Sequence, residues 1–146
     1  MNRLADPQAT EAFGASLAPL LRAGDVITLR GDLGAGKTSI ARGLLAALGL
    51  AGEAPSPSFA IVQPYAPPEV RLPVLHVDLY RIEDAVEIDE LGLDEARGDS
   101  VLVIEWPERA PGWRPDALAL TLAIEPDGAR ALTAAVPAAW SARWPT

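Results

Sequence analysis

The sequence contains no cysteine, and among its 12 lysine and arginine residues there is a single lysine, Lys37. The lack of cysteine excludes disulfide bonds and thiolate metal sites. Long apolar runs are also missing. None approaches the ~20 residues of a membrane-spanning helix, and the first residues lack the apolar stretch of a secretory signal peptide. These absences predict a cytoplasmic protein that does not enter a membrane.

Positive charge is scarce in this chain. It has 20 acidic residues against 12 basic ones, which gives a net charge of −8 and a pI near 4.5. A nucleic-acid backbone requires a basic surface, so this balance argues against an independent nucleic-acid-binding protein. With 49% apolar residues in a chain of 146, the composition predicts one folded domain over residues 1–146.

The single lysine belongs to an octet that fits G-x-x-x-x-G-K-[ST], the phosphate-binding P-loop or Walker A motif. In this motif main-chain N–H groups surround the phosphates, the ammonium bridges the β- and γ-phosphates, and the Ser/Thr hydroxyl binds Mg²⁺. Arginine does not replace that lysine, because a planar guanidinium cannot reach between two phosphates as a compact ammonium does. The octet, residues 31–38, and the residue after it therefore predict a site for a nucleoside triphosphate. The predicted binding residues are Gly31, Leu33, Gly34, Ala35, Gly36, Lys37, Thr38 and Ser39.

The segments on either side of the octet favour this interpretation over a glycine-rich turn with a stray lysine. Residues 26–30 are β-branched and aliphatic, which is typical of a buried strand. Residues 39–48 place apolar side chains along one face of a helix, and Gly49 predicts its end. Strand, loop and helix in this order are the context in which the motif binds phosphate.

The rest of the chain predicts an α/β protein. Asp6 and Pro7 are typical of the N-cap and first position of an amphipathic helix. We expect strands at 59–65 and 72–80, helical segments at 83–90 and 93–97, a strand at 101–105, a hairpin at 117–124 and 131–136, and a short helix or packed extension in the tail. This order predicts a single P-loop NTPase domain with a mixed sheet sandwiched between helices.

Two carboxylates end predicted strands and are candidates for the chemistry of hydrolysis, which needs an acidic residue for the metal or the attacking water. Glu105 follows four aliphatic residues, as the acid of a Walker B strand does. Asp78 lies in H-V-D-L-Y-R, where alternation puts residues 76, 78 and 80 on one strand face. The alternative for each is a solvated carboxylate at the end of a strand.

Other residues keep two interpretations each. His76 is either a half-buried strand histidine bonded to a neighbour or a ligand or base. Ser56 and Ser58 belong either to a switch-like segment that contacts Mg²⁺ or the γ-phosphate, or to an ordinary connection. Trp106 either fills the core or covers the nucleotide.

Taken together, the motifs resemble those of the TsaE (YjeE) family, a small bacterial ATPase of tRNA threonylcarbamoyladenosine biosynthesis. They are G-D-L-G-A-G-K-T (31–38), S-P-S-F (56–59), H-V-D-L-Y-R (76–81), D-E-L-G (89–92) and V-I-E-W-P-E (103–108). The resemblance implies an ATPase that does not itself modify tRNA. It implies that ATP binding and hydrolysis support or reset a TsaB–TsaD complex, which transfers a threonylcarbamoyl group to tRNA, so that tRNA is met only through that complex.

The resemblance also implies roles for individual residues. Lys37 and Thr38 take the P-loop roles, Glu105 is the second Mg²⁺ ligand, and Asp78 is the catalytic or switch aspartate. Trp106 lies where the family has a tryptophan beside the nucleotide. Ser58 stands where the family usually has threonine, which keeps the hydroxyl and loses the methyl group. The family binds adenine near the chain start, which would place residues 6–10 close to the base.

Three competing functions can be weighed from the sequence. A regulatory GTPase is excluded, because N-K-x-D cannot be formed when Asn2 and Lys37 are the only asparagine and lysine. A small P-loop kinase remains an alternative, although it needs an arginine-bearing lid and an acceptor pocket for which the chain has little room. An ATP-binding adaptor with negligible hydrolysis is the non-enzymatic alternative. We expect an ATPase that is slow without its partners.

Overall fold

A computed structural model of the chain describes residues 2–32, 34–52, 62–83, 85–96, 98–109 and 116–144. Leu33 and the segment with Ser56 and Ser58 lie outside the described residues, as does Arg97. The elements in chain order are β1 (Asn2–Leu4), α1 (Pro7–Leu17), β2 (Val26–Arg30), α2 (Lys37–Ala47), β3 (Val62–Tyr65), β4 (Val74–Asp78), α3 (Ala85–Glu90), α4 (Leu93–Ala96), β5 (Val101–Glu105), β6 (Leu118–Ile124), β7 (Arg130–Ala135) and α5 (Ala138–Ser141).

The strands form one seven-stranded sheet in the order β1-β7-β6-β2-β5-β4-β3. Strands β6, β2, β5 and β4 run parallel to one another. At one edge β3 is antiparallel to β4, and at the other β7 and β1 continue the sheet antiparallel. The predicted mixed sheet is confirmed, together with both predicted hairpins. Strand β4 is shorter than the predicted segment 72–80, and residues 59–61 of the other predicted strand lie outside the described residues.

The sheet has apolar groups on both faces, as buried parallel strands require. In β5, Val101 and Val103 belong to the larger hydrophobic cluster, which includes buried residues of α1 and α2. Leu102 and Ile104 point to a smaller cluster that includes Leu93 of α4. This alternation confirms the predicted layer of helix on each face of the sheet. It also places Glu105, which continues the series 101, 103, 105, on the α2 face.

The two helices on the larger cluster have the predicted boundaries to within a few residues. Asp6 caps α1, where its side chain accepts a hydrogen bond from the Ala9 N–H at 2.8 Å, and Pro7 is the first helical residue. The helix ends at Leu17 because Pro19 lacks an N–H, and a 3-10 turn follows at Ala18–Leu20. Helix α2 begins at Lys37, two residues before the predicted start.

Helices α1 and α2 touch backbone to backbone. A Cβ atom built on Gly14 of α1 would lie 2.0 Å from the carbonyl oxygen of Ile40, and one built on Gly43 of α2 would lie 1.9 Å from that of Glu11. Only glycine tolerates such an approach, because real Cβ atoms stay beyond about 3 Å from a carbonyl oxygen. The two glycines therefore set the distance between α1 and the helix that follows the glycine-rich loop.

The two ends of the chain contain features that the sequence prediction lacked or left open. Strand β1 was missed, since Asn2–Leu4 is too short to show a pattern. The tail forms the helix α5, with Trp140 completely buried. The guanidinium of Arg143 donates two hydrogen bonds to the Asp25 carboxylate, at 2.7 and 3.0 Å, and one to the Leu20 carbonyl at 2.7 Å. This fork attaches the tail to the turn before β2.

Candidate active site

The candidate site lies where the parallel strands end. Asp78 and Glu105 end β4 and β5 and are register partners across that pair of strands. Glu105 is also opposite Leu29, one residue before the end of β2, from which the glycine-rich loop (residues 31–38) departs. Because parallel strands carry their carboxyl ends to the same edge, the topology gathers the loop and both predicted carboxylates there.

Glycines allow the loop to turn from β2 into α2. Gly34 has a φ of 81° and Gly36 a φ of 108°, a left-handed region that other residues rarely adopt. The Ala35 N–H donates to the Asp32 carbonyl at 3.0 Å, which closes the loop. Helix α2 begins directly after Gly36, so its positive dipole end faces the loop. This geometry is suited to an anion, because helix N–H groups and the dipole act on the same point.

Lys37 is held at the mouth of the loop and is only 5% exposed. Its ammonium donates to the carbonyls of Gly31 and Asp32, the latter at 3.2 Å. Nζ also lies 3.9 Å from the centre of the Trp106 ring, within the range of a cation–π contact. Burial lowers the pKa of the Lys37 ammonium below its usual value of 10.5, and the Glu105 carboxylate is the largest opposing influence.

Thr38, Glu105 and His76 form a connected polar group. The Thr38 hydroxyl donates to the Glu105 carboxylate, 3.1 Å from Oε1 and 3.0 Å from Oε2. On the inner side, Nε2 of His76 lies 2.7 Å from Oε2 of Glu105. His76 is bonded to a neighbour as one interpretation expected, but it is completely buried and not half-buried. The reason is that α2 covers this face of the sheet.

Trp106 directly follows Glu105 and turns its ring over the loop. Its φ of +60° is unusual for a bulky residue and gives the side chain a direction that an extended residue lacks. The ring packs on the second hydrophobic cluster and on Tyr80, with 4.8 Å between ring centres. Trp106 is partly buried: it packs against the second hydrophobic cluster and also lines the cavity beside the loop, so a role over the nucleotide stays a prediction.

Two cavities adjoin the loop. The first has a volume of about 250 Å³ and is lined by residues 34–39 together with Asp78, Glu105 and Trp106. The second has a volume of about 200 Å³ and lies against residues 34–36 and Ser39, with Asp6, Thr10 and Arg130 among its walls. The predicted site residues thus line one cavity, apart from Leu33, which is not described, and Gly31. A Cβ on Gly31 would meet the Leu122 carbonyl oxygen at 2.8 Å.

Arg130 is a site residue that the sequence prediction missed. Its guanidinium lies on the outside of the loop and donates two hydrogen bonds to it, from Nε to the Ala35 carbonyl and from Nη2 to the Gly34 carbonyl, each at 3.0 Å. A third bond goes to the Gly128 carbonyl in the turn before β7. The Ala35 carbonyl shares its peptide with the Gly36 N–H, so holding that carbonyl outwards directs the Gly36 N–H inwards, as an anion requires. The Gly34 carbonyl shares its peptide with the Ala35 N–H, which is bonded to the Asp32 carbonyl, so this contact holds the turn of the loop. No pattern signals this contact, because Arg130 is distant in sequence from the loop.

The donor set beside the loop fits Mg²⁺. This cation prefers oxygen ligands, takes one or two from protein, and completes its octahedron with water and phosphate oxygens. The Thr38 hydroxyl and the Glu105 carboxylate are such oxygens, and they are within 3.1 Å of each other at the cavity wall.

Within the described part of the chain, no helix is both long and apolar enough to cross a bilayer.

Comparison with known proteins decides the family. A family model described as "Threonylcarbamoyl adenosine biosynthesis protein TsaE" matches residues 4–132. The chain belongs to the TsaE family. Among its TsaE relatives, each called a tRNA threonylcarbamoyladenosine biosynthesis protein, that of Streptomyces coelicolor is 46% identical over 66% of this chain and 66% of its own length. That of Treponema pallidum is 35% identical over 88% of this chain and 94% of its own.

A crystal structure agrees with the TsaE assignment. Bacillus subtilis YdiB matches this chain with a TM-score of 0.76 and 32% identity, over 91% of this chain and 82% of that one. The aligned match to the Streptomyces TsaE spans about two thirds of that relative, whereas the match to YdiB spans most of both chains. The fold of this chain is therefore similar to that of a solved structure at 32% sequence identity.

Proposed function

We propose that this chain is a single P-loop NTPase domain that binds and hydrolyses Mg-ATP in the cytoplasm, in support of threonylcarbamoyladenosine formation in tRNA. The observation that carries the proposal is the placement of Lys37, Thr38 and Glu105 around one cavity at the glycine-rich loop. Membership of the TsaE family, and the names of its members, support the pathway.

The loop is built to receive a triphosphate tail. Main-chain amides of residues 34–38 and the dipole end of α2 offer positive potential at one point. Lys37 adds a full charge, and in the described part of the chain its ammonium contacts only main-chain carbonyls and the Trp106 ring. Bonds from an ammonium to phosphate oxygens are stronger than bonds to neutral carbonyls, so ATP would draw Lys37 to its β- and γ-phosphates.

Two groups would serve the hydrolytic step beside the loop. Thr38 and Glu105 would hold Mg²⁺, which when bound offsets the charge that develops on the phosphates. Asp78 lies in the same cavity, where its Oδ1 accepts the Tyr80 N–H at 2.8 Å. This bond fixes the carboxylate at the strand end, in a position to orient an attacking water or to act as a switch.

The second cavity is suited to the nucleoside. It shares residues 34–36 and Ser39 with the first, so a single molecule can lie across the loop with its phosphates in one cavity and its base in the other. The first turn of α1 forms a wall of this cavity, which agrees with the expectation that the base lies near residues 6–10. We propose adenine as that base on the resemblance to the TsaE family.

The partners that we propose are a TsaB–TsaD-type complex, with tRNA contacted only through it. The net charge of −8 disfavours direct binding of tRNA. Among the described residues, those that line the first cavity contribute Lys37 as a cation and no arginine. Arginine fingers speed phosphoryl transfer by roughly 10³- to 10⁵-fold. We therefore expect slow hydrolysis by the isolated chain and faster hydrolysis when partners complete the site.

Measuring ADP production under three conditions tests this function against its alternatives. The chain is assayed alone, with candidate small acceptors, and with TsaB and TsaD. Stimulation by the two proteins supports the proposal, whereas phosphorylation of a small acceptor would establish the alternative of a P-loop kinase. Binding with no hydrolysis under any condition would leave an ATP-binding adaptor.

Two substitutions assign the effects to the site. Lys37→Ala should abolish ATP binding with little loss of fold, because the contacts of its ammonium with the described residues are limited to the loop and Trp106. Glu105→Ala should reduce Mg²⁺-dependent hydrolysis more than nucleotide binding. Arg22→Ala, at the exposed turn before β2, is a control for loss of a positive charge away from the cavities. Unchanged ATP affinity of Lys37→Ala by calorimetry would refute the P-loop assignment.

A further inference from the structure

His76 is a buried histidine, and its one polar contact among the described residues is Glu105. Its ring is completely buried, and Nε2 lies 2.7 Å from Oε2 of Glu105. The other ring nitrogen, Nδ1, is also buried and has no hydrogen-bond partner among the described residues. Buried polar nitrogens normally have a hydrogen-bond partner. Because Nδ1 has none among the described residues, the bond between Nε2 and Glu105 is the feature that could explain a histidine at this position.

The chemistry of the pair assigns the proton. An ionised carboxylate can only accept hydrogen bonds, so Nε2 must carry the proton and donate it. Nε2 of His76 is therefore the donor of this bond and Oε2 of Glu105 the acceptor.

The sheet register brings the two side chains together. His76 on β4 is opposite Val103 on β5, and Glu105 is two residues further along the same face. Such diagonal neighbours are within reach when one side chain is long. The bond pins one carboxylate oxygen from behind, while the Thr38 hydroxyl contacts the carboxylate from the loop side. Rotation of the carboxylate would break both contacts.

We propose that His76 is a positioning residue that engages Oε2 of Glu105 from the inner side, so that Oε1, which faces the Thr38 hydroxyl at 3.1 Å, is the oxygen that would bind the magnesium ion of ATP. The inference rests on the proposed function. Because Oε2 is engaged by the imidazole, binding through both oxygens is disfavoured. Calcium commonly binds both oxygens of a carboxylate and accepts irregular geometry, whereas magnesium requires a near-ideal octahedron. His76 thereby favours Mg²⁺ over Ca²⁺ at this site.

A matched pair of variants tests the inference. The amide nitrogen of glutamine can reach the position of Nε2 and donate to Glu105, whereas that of asparagine reaches only the position of Nδ1. Both variants therefore bury an amide group, but only His76→Gln can keep the hydrogen bond to Glu105. The measurements are calorimetric binding of a non-hydrolysable ATP analogue against Mg²⁺ concentration, the same against Ca²⁺, and unfolding temperature without nucleotide.

We expect His76→Asn to raise the half-saturating Mg²⁺ concentration by roughly 10- to 100-fold, as loss of a bond behind a metal ligand does elsewhere. The ratio of Mg²⁺ affinity to Ca²⁺ affinity should also fall in His76→Asn. His76→Gln should keep most of the wild-type Mg²⁺ affinity and most of the wild-type ratio. In a Glu105→Gln background, His76→Asn should shift the Mg²⁺ dependence no further, because the carboxylate that His76 positions is gone.

The inference is overturned if Gln and Asn weaken Mg²⁺ binding equally, or if His76→Asn still shifts it when Glu105 is Gln. Where Asn lowers the unfolding temperature too far for binding to be measured, His76→Gln alone decides, since a folded Gln variant without Mg²⁺ affinity refutes the role of the bond. Failure of the wild-type protein to bind Mg-ATP at all would instead refute the proposed function, so the two failures are distinct.

Discussion

The contact between α1 and α2 can be tested with one methyl group. In Gly14→Ala the new Cβ would be 2.0 Å from the Ile40 carbonyl oxygen, where about 3 Å is the closest approach that real Cβ atoms show. The obstacle is main chain, which cannot rotate away as a side chain can. The helices must separate locally by about 1 Å, and the apolar contacts around the pair loosen with them.

Two opposing effects set the size of the change. Replacing glycine with alanine inside a helix is worth roughly 0.5–1 kcal/mol in favour of the helix. Overpacking of a close contact costs roughly 1–3 kcal/mol, and more where backbone must move. The packing term exceeds the helix term, so we expect Gly14→Ala to lower the free energy of unfolding by about 1–2 kcal/mol. For a domain of this size that lowers the unfolding temperature by roughly 2–8 °C.

Thermal and urea unfolding followed by circular dichroism measure the effect. Gly98→Ala is the matched control, because a Cβ there meets its nearest neighbour, the Glu95 carbonyl oxygen, at an ordinary 3.5 Å. Gly43→Ala should be destabilised like Gly14→Ala, since its Cβ would be 1.9 Å from the Glu11 carbonyl oxygen. A rise in unfolding temperature for Gly14→Ala would show that helix propensity outweighs packing and would refute the reasoning.

Three more predictions concern charged groups. Arg130→Lys keeps the charge but loses the fork on two loop carbonyls. Two bonds of about 0.5–1.5 kcal/mol each amount to about 1–3 kcal/mol, so ATP affinity should fall roughly 5- to 150-fold. Unchanged affinity by calorimetry would remove Arg130 from the site. The phosphates of ATP favour the charged form of Lys37, so ATP affinity should fall as pH rises from the lowered pKa of Lys37 towards 10.5. Without nucleotide, the free energy of unfolding should rise over the same pH window. The reason is that the lysine keeps its proton in the unfolded chain at pH values where the folded chain has lost it. A flat affinity profile over that window would contradict this. Arg143→Met should lower the free energy of unfolding by roughly 2–4 kcal/mol because it leaves Asp25 nearly buried without its cation, and Asp25→Asn in the same protein should recover part of the loss in urea unfolding.

The backbone geometry around the candidate site could be predicted where local sequence carries it. The glycine-rich loop needs left-handed residues at defined spacings, and Gly34 and Gly36 adopt that conformation. The proximity of Asp78 and Glu105 could be predicted because each ends an apolar strand, and the carboxyl ends of parallel strands lie at one edge of a sheet. The chemical roles of these residues stay predictions until the substitutions are measured.

The sequence prediction failed where a contact joins distant segments. The burial of His76 depends on α2 covering its strand, and its bond to Glu105 depends on the register between β4 and β5. Arg130 reaches the loop from the opposite end of the chain, and nothing near it in sequence differs from an exposed arginine of a hairpin. Strand β1 is likewise defined by its partner β7 and not by its three residues.

The amino-acid sequence alone determined the glycine-rich loop with its lysine, the alternation of strands and helices, and the family, because these depend on spacings of a few residues along the chain. Only the tertiary structure decided which groups stand behind the site: the imidazole of His76 under Glu105, the guanidinium of Arg130 outside the loop, and the contact of α1 with α2 through Gly14 and Gly43. The physical reason is that burial, register and backbone contact are properties of pairs of segments, and a pair has no signature in either segment by itself.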